Sequence, residues 1–101
     1  MKIVNDANFK EEVLDASTPV LVDFYADWCG PCKAMGPIVE KLEEELSGSA
    51  KVVKVNVTDS PELSDKYNVE SIPTFIVFQN GSPVKQRIGR MSKEELAGLL
   101  Q

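Results

Sequence analysis

Apolar and polar positions along the chain follow two rhythms, and the switches between them mark out short elements. Ile3 and Val4 fit a brief first strand. Asn8, followed three residues later by Glu11, has the form of a capping box and predicts a helix through about Leu14. After Pro19 the run Val20-Leu21-Val22-Asp23-Phe24-Tyr25 is apolar on both faces apart from Asp23. That is the pattern of a central strand covered on both sides. A punctuating stretch from Asp27 to Lys33 leads into a long helix ending near Leu46, in which Ile38, Val39, Leu42 and Leu46 recur at helical spacing. Pro37 lies inside that helix, where it removes a backbone donor and should bend the axis.

The second half is built the same way. Lys51 to Val57 alternates, with Val53, Val55 and Val57 on one face of a strand. Ser60-Pro61 opens a short helix ending near Asn68, since proline suits the first helical position. Thr74 to Phe78 is β-branched and aromatic, and Asn80-Gly81 then makes a hairpin turn into a returning strand over about Val84 to Ile88. Ser92 and Glu95 form a second capping box, opening a last helix with Leu96, Leu99 and Leu100 inward. The order is βαβαβαββα. It predicts an α/β domain over 1–101 whose sheet has a parallel portion and a C-terminal antiparallel hairpin, with helices for both faces. Repeats, low-complexity tracts and linkers are absent.

Composition narrows the chemistry. Eleven basic residues against 16 acidic give a net charge of -5, which disfavours nucleic acid and anionic membrane surfaces as partners. No segment has the length of a transmembrane span, and Met1-Lys2-Ile3-Val4-Asn5-Asp6 turns polar too soon for a signal-peptide core, so a cytoplasmic protein is expected. There is no histidine, which removes Ser-His and Cys-His catalysis.

Only two cysteines remain to carry reactivity, and both lie in Trp28-Cys29-Gly30-Pro31-Cys32-Lys33, where the buried strand hands over to the long helix. Only a thiolate attacks a disulfide, and a helix N-terminus stabilises one. Cysteines three apart on a first turn come within disulfide reach after a small adjustment. Cys29 is expected at the helix end, exposed and activated, with Cys32 one turn in, shielded and ready to resolve a mixed disulfide. A structural disulfide over so small a loop adds only about 2 kcal/mol. That reading, a metal half-site shared across a dimer, and a pair of inert buried thiols stand beside redox catalysis as alternatives.

The match to known sequence extends beyond the cysteines. The segment from Val22 to Lys33 resembles the active-site segment of bacterial thioredoxins nearly residue for residue, and Lys54-Val55-Asn56-Val57, Ser71-Ile72-Pro73-Thr74, Phe78-Gln79-Asn80-Gly81 and Ile88-Gly89 follow in the family's order. The resemblance implies a thioredoxin fold, a central mixed sheet with about four helices, and reduction of protein disulfides through Cys29 and Cys32. It implies that Asp23 is the buried acid taking the proton from Cys32, that Lys54 lies near it, and that Pro73 is cis against the disulfide. By the same resemblance Trp28, Gly30, Pro31, Ile72, Pro73, Thr74 and Gly89 receive the substrate. No cofactor is expected to bind; electrons would come from NADPH through a thioredoxin reductase. Targets would be of the kind represented by ribonucleotide reductase, peroxidases and methionine sulfoxide reductase, and a monomer is the default state. Two departures stand out: Tyr25 replaces a tryptophan common in relatives, and Arg90 puts a charge where a small residue is usual. A net oxidase or isomerase, and a binding module indifferent to its thiols, are the competing functions.

Overall fold

The strand Val20–Tyr25 (β2) lies in the middle of a five-stranded sheet, as its two-sided apolar pattern requires. The computed structural model describes residues 1–101. The other strands are Lys2–Val4 (β1), Lys51–Asn56 (β3), Thr74–Gln79 (β4) and Ser82–Ile88 (β5), in the spatial order β1-β3-β2-β4-β5. β3 runs parallel to both β1 and β2, whereas β4 is antiparallel to β2 and to β5. The mixed sheet with its terminal hairpin is thus the architecture the sequence predicts. Asn80 and Gly81 make the turn with φ of 54° and 80°, the left-handed pair that a two-residue hairpin needs.

Helices cover both faces. Gly30–Leu46 (α1) and Lys93–Gly98 (α3) bury Met35, Val39, Leu42, Leu96 and Leu99 against Leu21, Val52, Phe75 and Val77. Pro61–Lys66 (α2) and a helical turn at Lys10–Leu14 close the opposite face, where Phe9, Val13 and Leu63 meet Val22, Phe24, Val53, Val55 and Phe78. β3 is therefore buried on both sides, not on the single face its valine alternation suggests, because Val52 points into the second core. The rings of Phe9, Tyr67 and Phe78 pack with centroids 5.0–5.7 Å apart. The Ser92–Glu95 capping box forms as expected: Glu95 N–H donates to Ser92 Oγ, and Ser92 N–H donates to the Glu95 carboxylate, each at 3.0 Å. α1 runs through Pro37 as one element.

The first helix departs from expectation. Asn8 does not cap it; Asn5 does the local bonding instead, its Oδ1 accepting from Ala7 N–H at 2.9 Å and Asn8 N–H at 3.2 Å. Asn8 Oδ1 in turn accepts from Asn5 N–H at 2.8 Å, a closed Asx arrangement that diverts Asn8 from a capping box with Glu11. The chain then makes one π-helical turn, closed by Asp15 N–H donating to the Lys10 carbonyl at 2.9 Å.

Glu12 on this turn ties it to the sheet, accepting from Lys2 on β1 and Lys51 on β3, both at 2.8 Å. The hydrogen bond from Lys2, then that from Lys51, holds its carboxyl down at about 2. A depressed carboxyl contributes stability that is present above the usual value near 4.5 and lost as pH falls through about 2. Glu12→Gln is therefore expected to lower the urea midpoint near neutral pH, with the difference closing as pH approaches 2; equal midpoints at pH 7 would mean the pairs are too solvent-screened to count.

Candidate active site

β2 delivers the chain to the site and α1 begins there. Cys29 is the N-cap of α1, in extended conformation, and its Sγ accepts the Cys32 backbone N–H at 3.2 Å. Pro31 sits in the first turn, where the missing N–H leaves nothing unpaired. Cys32 is one turn in. The two sulfurs are bonded as a disulfide, with Cα atoms 5.2 Å apart. No acid lies in the first turn of α1 to oppose a thiolate.

Exposure does not separate the two cysteines: Cys29 is 5% exposed and Cys32 6%. Cys29 is thus not the exposed thiol its place at the helix end suggests. Its N-cap role turns Sγ inward, and the loop before β4 lies over it, with the Ile72 carbonyl oxygen 3.9 Å from Sγ. That loop carries the Ile72–Pro73 peptide bond in the cis form. Neither the N–H nor the C=O of Ile72 is engaged in a backbone hydrogen bond. The Pro73 carbonyl accepts from Gly89 N–H at 2.8 Å, and Gly89 has φ of 97°, a conformation in which a side chain would be strained.

The remaining anticipated substrate residues divide by exposure. Trp28 is 74% exposed, and Gly30 and Pro31 are open to solvent. Ile72 and Gly89 are half-buried, while Pro73 is buried. Thr74 is fully buried and its hydroxyl donates to the Ser71 carbonyl, so its side chain shapes the loop from inside and offers no surface to a partner.

Asp23 is 2% exposed, on the face of β2 that looks toward α1, and its Oδ1 has no hydrogen-bond partner. Burial raises its carboxyl to about 6, against a smaller opposing pull from Lys54. Lys54 is the register neighbour of Asp23 across β2 and β3. Its ammonium makes no ion pair with that acid; it stands 4.1 Å from the centroid of the Tyr25 ring. Tyr25 thus does more than fill the space of a tryptophan. A cleft of about 220 Å³ lined by Tyr25, Ala26, Asp27, Cys32, Lys33, Gly36 and Lys54 leads to the inner cysteine. Asn56, given no role by the sequence, is buried behind Asp27 of the cleft wall: its Oδ1 accepts from Thr58 N–H at 2.9 Å, and its amide reaches Asp27 at 3.5 Å. The one uncharged polar residue in the valine-rich run from Lys51 to Val57 is the signal for it.

A profile of the family described as Thioredoxin matches residues 1–101. The chain belongs to the thioredoxin family. It is 47% identical over 100 residues to Thioredoxin C-2 of Corynebacterium nephridii, covering 97% of this chain and 93% of that one. It is 45% identical over 93 residues to a thioredoxin of Rickettsia felis, covering 92% and 89%. A thioredoxin of Synechocystis sp. shares 44% over 98 residues, covering 97% and 92%. With the bonded Cys29–Cys32 pair at the head of α1, membership makes this thioredoxin-family protein a dithiol–disulfide oxidoreductase with protein-disulfide reductase activity. No helix of the chain is long and apolar enough to cross a membrane.

Proposed function

We propose that the chain is a cytoplasmic reductant of protein disulfides, with Cys29 attacking and Cys32 resolving. The observation that carries the assignment is the N-cap position of Cys29: its sulfur already receives the Cys32 N–H, the donor and the dipole end that stabilise a thiolate. In the reduced protein the Cys29 thiolate attacks one sulfur of the target disulfide, and the target's other sulfur leaves. Cys32 then gives its proton to the Asp23 carboxylate and attacks Cys29 Sγ. The bond to the target breaks, its thiolate departs, and two electrons have passed from the pair to the target. Lys54, held on the Tyr25 ring beside Asp23, favours the ionised acid that this step needs.

An extended target segment would lie along Ile72, pairing with its free N–H and C=O as an added strand, with Trp28, Gly30, Pro31, Pro73 and Gly89 around it. Main-chain pairing carries little sequence preference, which suits targets as different as ribonucleotide reductase, peroxidases and methionine sulfoxide reductase. A thioredoxin reductase drawing on NADPH would restore the dithiol, with no cofactor resident on this chain.

The test is the midpoint potential of the Cys29–Cys32 pair, read through Trp28, the only tryptophan and a neighbour of Cys29. A value of about −270 mV, the reference figure for a thioredoxin, is expected of a reductant. A value above about −180 mV would instead assign oxidase or isomerase chemistry and overturn the cytoplasmic placement.

A further inference from the structure

From Ser71 to Lys93 the chain carries no acid, although acids outnumber bases 16 to 11 overall. The same stretch holds Lys85, Lys93 and both arginines of the protein, Arg87 and Arg90. It begins at the Ile72–Pro73 loop and returns to it, since β5 ends at Ile88 and Gly89 donates to the Pro73 carbonyl at 2.8 Å. Charge in this chain is therefore segregated, and the cationic part adjoins the surface where a target would bind.

Within that stretch the two arginines flank the Ile88–Gly89 return, and neither has an ion-pair partner. Lys93 is paired with Glu45, and Lys85 donates to the Gln101 carbonyl at 3.1 Å. Arg87, opposite Phe75 on β4, donates only to the carbonyl of its neighbour Gln86 at 3.2 Å, and Arg90 has no ion-pair partner. Glu95 lines the same groove as Arg87, but its carboxylate is engaged by the Ser92 N–H. Both arginines are exposed.

We propose that Arg87 and Arg90 extend the docking surface as an electrostatic arm for an acidic segment flanking the disulfide of a target protein, an inference that rests on the reductase reading above. A guanidinium presents a planar fork that fits a carboxylate at two points. At long range the net charge of -5 repels an acidic partner, so a preference for one has to come from charges within a Debye length of the contact. Two free arginines are too few for a phosphate backbone, which proteins hold with roughly six to ten contacts.

The experiment compares two peptides with the same disulfide, one followed by four glutamates and the other by four glutamines. The reading is the ratio of their kcat/KM values for the wild-type chain, for R87Q/R90Q, and for K41Q/K66Q, whose lysines are exposed on other elements. In the wild type at about 100 mM salt, where the Debye length is about 10 Å, the acidic peptide is expected to be favoured roughly two- to tenfold, the range for two partly screened pairs. R87Q/R90Q should bring the ratio to one or below, and K41Q/K66Q, with the same change in net charge, should keep it. A wild-type ratio of one or less, or an equal fall in both double variants, overturns the proposal. The glutamine peptide reports separately on the reductase reading, which fails if the wild-type chain does not reduce it.

Discussion

Cys32→Ser is expected to leave target proteins covalently held on Cys29, with turnover abolished. The first half of the exchange needs only the Cys29 thiolate and a target disulfide, and both survive the substitution. The second half needs a second thiolate one turn into α1, which a serine hydroxyl cannot supply. Cys32 is buried and serine is close to it in size, so α1 should keep its place. The N–H that Cys29 Sγ accepts belongs to the backbone of residue 32 and is retained. Reduced variant mixed with disulfide-bearing target should accumulate a one-to-one adduct, mapped to Cys29 by digestion and mass analysis. If adducts form instead on Cys32 in a Cys29→Ser variant, and none form here, the two roles are reversed. If Cys29→Ser/Cys32→Ser retains full biological function, the chain acts as a binding module and its thiols are incidental.

The second large effect comes from Asp23→Asn, which should move activity and stability in opposite directions. Asp23 can accept the Cys32 proton only when ionised, and its carboxyl is pushed up to about 6. Removing a positioned base should slow turnover at pH 7 at least about tenfold, and erase the inflection near the pKa of the acid. Stability follows the opposite sign. A carboxyl raised from 3.8 to about 6 by burial favours the fold below the lower value, and that advantage is lost as pH rises through about 6. A rise of that size corresponds to about 3 kcal/mol as an upper figure. The asparagine variant should therefore gain on the wild type as pH climbs from 4 to 8, by up to that amount in urea unfolding of the disulfide form. The constant cost of burying an amide cancels in the pH dependence. A parallel pair of stability curves, or an unchanged pH–rate profile, would reduce Asp23 to a structural residue.

How much of this was legible in the chain differs from residue to residue. β2 and α1 could be read directly, because a two-sided apolar run and a repeat of Ile38, Val39, Leu42 and Leu46 are strong periodic signals. The Ser92–Glu95 box was legible for the same reason, its partners being three residues apart. Asn8 misled because Asn5, three residues earlier, engages it: Asn5 Oδ1 accepts the Asn8 N–H and Asn8 Oδ1 is turned back to the Asn5 N–H, away from Glu11. Cys29 proved buried because a loop 43 residues away in sequence lies across it, which no local pattern encodes. The perch of Lys54 on the Tyr25 ring was hidden likewise: strand registers and side-chain reach settle it, not spacing. Thr74 groups with the docking surface by its neighbours in sequence, yet it is the first residue of β4 and points inward.

The placement of β2 also bears on the order in which the molecule assembles and comes apart. β1 can join the sheet only after β3 exists, since Lys2 pairs opposite Val53, whereas β4 and β5 close through a local hairpin. Long closures of this kind come late in folding, and margins of a sheet fray first. β1 and β5 are those margins here, one three residues long and the other exposed along its whole length. The cysteines hang instead from the innermost strand, flanked by partners on both edges. The chain can thus breathe at its borders through repeated redox cycles while the sulfur-bearing hinge between β2 and α1 stays in register.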